Sequence, residues 1–225
     1  MKKGFSLFVS LALLSLLAFA FVGCGEEEKD VIGPGGGKDS GDGIISGFAG
    51  LKAGSWAELV YPDGTHSKYE FLGTDTYKGA ECYLLEFETI QDGTKNINQI
   101  WINKSTGQGV LMVMKDENGV VMKMEMTPTT PQDIPTGETP VNSVKVGTQK
   151  YTTPTGKTVE ATVYKTTTPD GEDETWISSQ VPFWEVKSLL NGKVFYELYD
   201  FGTSGAKRDI SKEEMENATP LVFPG

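Results

Sequence analysis

Between Ile44 and Phe201 the chain is a succession of short runs rich in β-branched and aromatic residues, cut by Gly, Pro, Asn or Asp turn signals about every ten residues. Nothing in that span keeps the apolar period of a long helix, so the spacing predicts an antiparallel all-β domain. The runs are Ser55–Tyr61, His66–Leu72, Ala80–Thr89, Asn98–Asn103, Val110–Lys115 and Val120–Met126, then Ser143–Tyr151, Thr158–Thr167, Thr175–Ser179, Glu185–Leu190 and Lys193–Phe201. Pro62-Asp63-Gly64 reads as a three-residue hairpin loop with Gly in the left-handed position. The Pro/Thr stretch from Thr127 to Pro140 fits neither strand nor helix. Ser211-Lys212-Glu213-Glu214 has the form of a capping box and predicts a short helix from Lys212 to about Asn217.

The runs contain an internal echo. Gly79 to Thr89, Asp92-Gly93, Trp101-Ile102 and Asn118-Gly119 form one series. Gly156 to Thr166, Asp170-Gly171, Trp176-Ile177 and Asn191-Gly192 form another in the same order. Two copies of a four-strand unit in one sheet account for the match. A plain meander also repeats its glycine turns.

The first residues have a different character. Lys2 and Lys3 precede an 18-residue apolar run from Phe5 to Val22, which closes on Gly23-Cys24 and passes at once into acidic, glycine-rich sequence. A basic start, an apolar core and a small-residue end form the layout of a secretory signal peptide over residues 1–23. Phe21-Val22-Gly23-Cys24 resembles the lipobox of bacterial lipoproteins, with Phe21 where Leu is usual. That resemblance implies cleavage before Cys24, a diacylglyceryl group on its sulfur, and a cell-envelope protein held to a membrane by lipid. Gly25 in place of Asp points to the outer membrane if the envelope is Gram-negative. An uncleaved N-terminal anchor is the alternative, since a span needs about 20 apolar residues. Residues 24–43, with seven Gly and six acidic residues, cannot bury enough apolar surface to offset their ordering entropy and read as a flexible tether. Residues 44–225 then form a single β domain.

Composition excludes several functions. Loss of Lys2 and Lys3 takes the formal charge from −11 to −13. An acidic chain without a Lys/Arg cluster is unsuited to neutralising phosphates, which argues against nucleic acid. Of the two cysteines, Cys24 is assigned to lipid, so Cys82 has no intramolecular partner and reads as a small buried apolar residue with an inert thiol.

No catalytic constellation is visible, and no metal or other cofactor is expected. His66 is the only histidine and lies beside a hairpin turn, where a solvated edge explains it. Glu86 and Glu88 have the spacing of a solvent-facing strand pair. Gly202 to Lys207 lacks the spacing of a phosphate-binding loop and reads as a turn. The methionines are more informative, because five of the seven fall between Met112 and Met126. A three-residue loop at Glu117-Asn118-Gly119 places Met114 opposite Met122 and Met112 opposite Met124. Lys115, Lys123 and Glu125 then share the other face with Leu111, Val113 and Val121. The resulting stripe of Val110, Met112, Met114, Met122, Met124 and Met126 reads as core packing or as an adaptable apolar groove. Val181-Pro182-Phe183-Trp184 joins two strands, and Trp184 is a further candidate ligand contact unless the loop folds back on the sheet.

Strand order, the Trp-Ile strands and the Cys24 signal resemble the LolA/LolB-like group of envelope proteins over roughly Trp56 to Phe201. The resemblance implies a strongly curved antiparallel sheet, a half-barrel of about 10–11 strands, with an apolar ligand or lipid bound on its concave face. The helices that lid such cavities are not evident here. A non-enzymatic, membrane-tethered binding protein is the leading expectation. A structural or assembly lipoprotein that holds a protein partner by its sheet edge or loops is the alternative.

Overall fold

The computed structural model describes residues 51–126, 143–168 and 171–221. The signal segment, Cys24, the tether and the Pro/Thr stretch lie outside the described residues. The described chain forms one twelve-stranded sheet and one helix: β1 (Ser55–Val60), β2 (His66–Tyr77), β3 (Ala80–Gln91), β4 (Thr94–Asn103), β5 (Gly109–Lys115), β6 (Val121–Glu125), β7 (Ser143–Thr152), β8 (Thr158–Thr168), β9 (Gly171–Ile177), β10 (Glu185–Leu190), β11 (Lys193–Gly202), α1 (Lys212–Asn217) and β12 (Thr219–Pro220). Their order in the sheet is β12-β6-β5-β4-β3-β2-β1-β11-β10-β9-β8-β7. Two antiparallel meanders thus meet where β1 pairs with β11, and only β12 runs parallel to its neighbour, β6.

The eleven expected runs are all strands. The twelfth strand, β12, and five further residues of β2 were not anticipated. The two echoing series each map onto four consecutive antiparallel strands, β3–β6 and β8–β11.

Six pairings carry a one-residue bulge, at Leu72, Val110, Val146, Val186, Phe195 and Tyr199. Bulges bend a strand and increase its twist. The sheet accordingly curls without closing. Val159 and Ala161 of β8 share a buried cluster with Ala57 and Leu59 of β1, although four strand intervals, about 19 Å in a flat sheet, separate those strands.

Strand β3 is buried on both sides. Cys82 and Leu84 face a cluster with Trp101, Leu111 and Val113, while Tyr83 and Leu85 face Phe71, Leu51 and Phe183. Burial on both faces explains its unbroken apolar run. Cys82 is completely buried, and desolvation pushes its thiol above the ordinary value, as an inert side chain requires.

The first of those faces is covered by residues 203–218, which cross β1 to β5 as a strap. Ala206 N–H donates to the Gly54 carbonyl at 2.9 Å, and Ile210 and Met215 enter the cluster with Trp101. Glu86 secures the strap: its carboxylate accepts from Gln99 Nε2 and from the backbone N–H groups of Asp209 and Ile210. Glu70 accepts from Lys207 N–H and from the Lys68 ammonium. The sequence reading placed Glu86 on a solvent face; it is instead fully buried, because the strap, not water, lies over it. Burial raises the pKa of its carboxyl, against the lowering effect of the hydrogen bonds. Helix α1 forms where expected, with the reciprocal Ser211–Glu214 capping box present.

Candidate functional site

The methionine register is as the charge pattern required. Met112 pairs with Met124 and Met114 with Met122, while Leu111, Val113 and Lys115 pair with Glu125, Lys123 and Val121 on the other face. Followed across the sheet, the pairings define two rows on one face. One runs Met124, Met112, Ile100, Leu85, Phe71, Ser55; the other runs Met122, Met114, Asn98, Phe87, Tyr69, Ala57. The face is apolar in both rows except for Asn98 and Ser55.

Coverage changes along it. Over β1 to β3 the row members are buried except for Phe87, which is partly buried, and Phe183 and Leu51 pack against the face. Over β4 to β6 it opens in part: Asn98 and Met112 remain buried, whereas Ile100, Met114, Met122, Met124 and Met126 are each partly exposed. A surface of flexible thioethers at this position can repack around ligands of differing shape.

Val110 does not belong to the stripe. It is the extra residue of the β5 bulge, so its side chain turns to the strap-side cluster. Gly109 takes its place, where an added Cβ would stand 2.8 Å from the Met126 sulfur.

The 178–184 loop folds back on the sheet. Val181 is buried, and Phe183 approaches Tyr69 with ring centroids 6.0 Å apart. Trp184 is partly exposed in that loop. The structure places its loop over β2, three strands from β5, and not beside the methionines. Phe183 and Trp184 both hold left-handed backbone conformations, with φ of +64° and +60°. Two consecutive bulky residues in that region are strained, and such strain persists only where surrounding contacts impose it.

The next residue, Glu185, was not singled out from the sequence. Part of the residue reaches the surface, but its carboxyl group is desolvated, which raises its pKa from 4.5 to about 7. The Tyr196 hydroxyl is its neighbour, and the Tyr61 and Tyr69 hydroxyls, which neighbour each other, lie within electrostatic reach of the carboxyl. The Tyr61, Phe195 and Tyr196 rings pack edgewise or tilted at 5.7–6.0 Å. Simple alternation puts Glu185 on the side of Lys187 and away from the core; the bulge at Val186 turns it inward. That bulge has no visible sequence signal.

The opposite face offers a different arrangement. An open depression of about 540 Å³ lies among Trp56, Glu58, His66, Lys68 and Glu88. His66 is less exposed than a solvated edge would make it: its Nδ1 lies 2.7 Å from Glu58 Oε1, and the Tyr199 ring packs against it at 4.8 Å. Lys68 is bound to Glu70, and Lys95 to Glu88 and Asp209. These charges are paired with one another and tie the strap to the sheet. Among the described residues, no group of three or more His, Cys, Asp or Glu side chains could hold a metal ion. No protein-family model matches the chain, and comparison with curated proteins found no match.

Proposed function

We propose that this is a membrane-tethered envelope lipoprotein that binds the acyl chain of a lipid on the methionine-bearing face of its sheet, without catalysing a reaction. The observation that carries the reading is the pair of cross-strand rows whose members pass from buried Phe71 and Tyr69 at β2 to partly exposed Met114, Met122 and Met124 at β5 and β6. A face of that composition accepts a flexible apolar chain at little cost in polar desolvation. Attachment through lipid on Cys24 supports an occupant drawn from the membrane itself, and in a Gram-negative cell this reading puts the protein at the outer membrane.

Mass spectrometry of organic extracts tests the reading directly. Protein purified from membranes is expected to carry non-covalent lipid that Met124→Glu removes while the domain still unfolds cooperatively. A wild-type protein free of extractable lipid, or lipid retained in full by Met124→Glu, rules it out. The tether is tested separately: Cys24→Ser should release the protein from the membrane fraction, and a variant that stays fully membrane-bound through an uncleaved N-terminus rules the lipid anchor out.

The alternative, an assembly lipoprotein that holds a protein partner, draws on β7. This edge strand exposes Val144 and Val146 by 59% and 51%, which suits pairing with a strand of another chain.

A further inference from the structure

Strand β7 ends the sheet, and among the described residues its outer side has no strand partner. Its residues are exposed except for Gly147 and Tyr151. Opposite it, Val159, Ala161 and Val163 of β8 are buried, so their partners Tyr151, Gln149 and Gly147 mark the inner face of β7. Val144, opposite Lys165, lies on that face as well. Lys145, Thr148 and Lys150, opposite Tyr164, Thr162 and Glu160, stand on the outer face. The bulge at Val146 brings the two lysines, five residues apart, onto one side.

This edge departs from the rest of the chain in charge. The chain carries a formal −11, yet β7 has two lysines and no acidic residue. On interior strands Lys68, Lys95, Lys115, Lys165 and Lys187 are each held to a carboxylate. Among the described residues Lys145 and Lys150 form no ion pair, although Glu160 stands opposite Lys150. Lysines along an edge discourage pairing with a strand of like charge and favour one that brings carboxylates opposite them.

We propose that β7 receives an extended segment of a partner protein in which acidic and apolar residues alternate, its carboxylates toward Lys145 and Lys150 and its apolar side chains beside Val144. On a regular strand the two carboxylates stand four residues apart, as Tyr164 and Glu160 do on β8. Main-chain hydrogen bonds supply the affinity, and the charge pairs supply the choice of partner. The inference rests on the alternative reading above, a lipoprotein that holds a partner by its sheet edge, and adds the chemistry of that partner.

The test compares two end-capped, fluorescein-labelled peptides on the purified full-length protein, Thr-Val-Glu-Val-Thr-Val-Glu-Val and its counterpart with Lys for Glu. Long-range attraction to an acidic chain favours the lysine peptide, so a preference for the acidic one reports the local lysines. Anisotropy titration is expected to show the acidic peptide binding about tenfold more tightly, and amide exchange to slow in β7 but not in β6. Lys145→Glu with Lys150→Glu, both at exposed positions, should reverse the preference. Equal binding of the two peptides, or a preference that survives the double substitution, overturns the acidic partner while slowed exchange in β7 keeps the edge reading. Binding of neither peptide removes the edge reading and the partner's chemistry together. Slow exchange in β7 without peptide, lost on dilution, means that a second copy of the chain holds the edge and also overturns the proposal.

Discussion

The Tyr151 hydroxyl of β7 donates a 2.7 Å hydrogen bond to the Leu198 carbonyl of β11, four strand intervals away. Lys157, at the β7–β8 turn, reaches the same strand through Asp200 Oδ1 at 2.7 Å and the Phe201 carbonyl. These bonds join the ends of a curl that the ladder alone does not close. Burial pushes the Tyr151 phenol up to about 12, so it stays a donor throughout the neutral range. Tyr151→Phe leaves the Leu198 carbonyl short of a partner and is expected to lower stability by about 1 kcal/mol. Urea unfolding of the two proteins measures the difference, and an unchanged midpoint would show that the curl holds without this bond.

The methionine pair Met112 and Met124 separates packing from binding, because the two face each other yet differ in burial. Met112→Ala should cost about 2–4 kcal/mol, as for a core methionine. Met124→Ala, at a partly exposed position, should cost about 1 kcal/mol or less and weaken binding of an apolar dye more than Met112→Ala does. Thermal unfolding and dye titration of both variants check the ordering.

Glu185 gives the domain a pH dependence of defined sign. The unfolded group titrates near 4.5 and the folded one near 7, so between those values the folded chain holds the extra proton. Stability therefore falls as pH rises through that window and is level on either side of it. The loss is at most about 3 kcal/mol at ~1.4 kcal/mol per pH unit. Glu86 shifts in the same direction, whereas Asp200 and Glu214, both lowered, act at more acid pH. Subtracting the profile of Glu185→Gln isolates the contribution of Glu185. Parallel profiles for the two proteins would show that its carboxyl is solvated.

Glu86→Ala should free the strap. It removes the acceptor of two backbone N–H groups under cover, at Asp209 and Ile210, and leaves them unpaired. The expected cost is about 3–5 kcal/mol. Amide exchange should accelerate at residues 206–218 before it does in β3 or β4. Uniform acceleration across the sheet would mean that the strap and sheet open as one unit.

The sequence was most legible where charge and alternation acted together. Lys115, Lys123 and Glu125 could share a face only with a three-residue loop at 117–119, and that is the register found. Ser211 and Glu214 marked the helix start because capping is local. Where partners were distant the reading failed. Glu86 alternates like a solvent residue, and only the strap, 123 residues further on, makes it interior. β2 was cut short at Leu72 because a bulge and Gly73, at φ +102°, break its alternation. Val110 and Glu185 were misplaced or missed for the same reason: one inserted residue reverses every parity that follows.

The two ends of the sheet differ in what they offer another chain. At one end stands β12, two residues long and closed by Pro220, which has no N–H to donate; at the other stands β7, ten residues long, whose outer backbone has no strand partner among the described residues. Growth of a fibre by strand addition requires a donor edge and an acceptor edge on every subunit. With β7 the one long open edge among the described residues, two copies joined along it would offer no second such edge to a third.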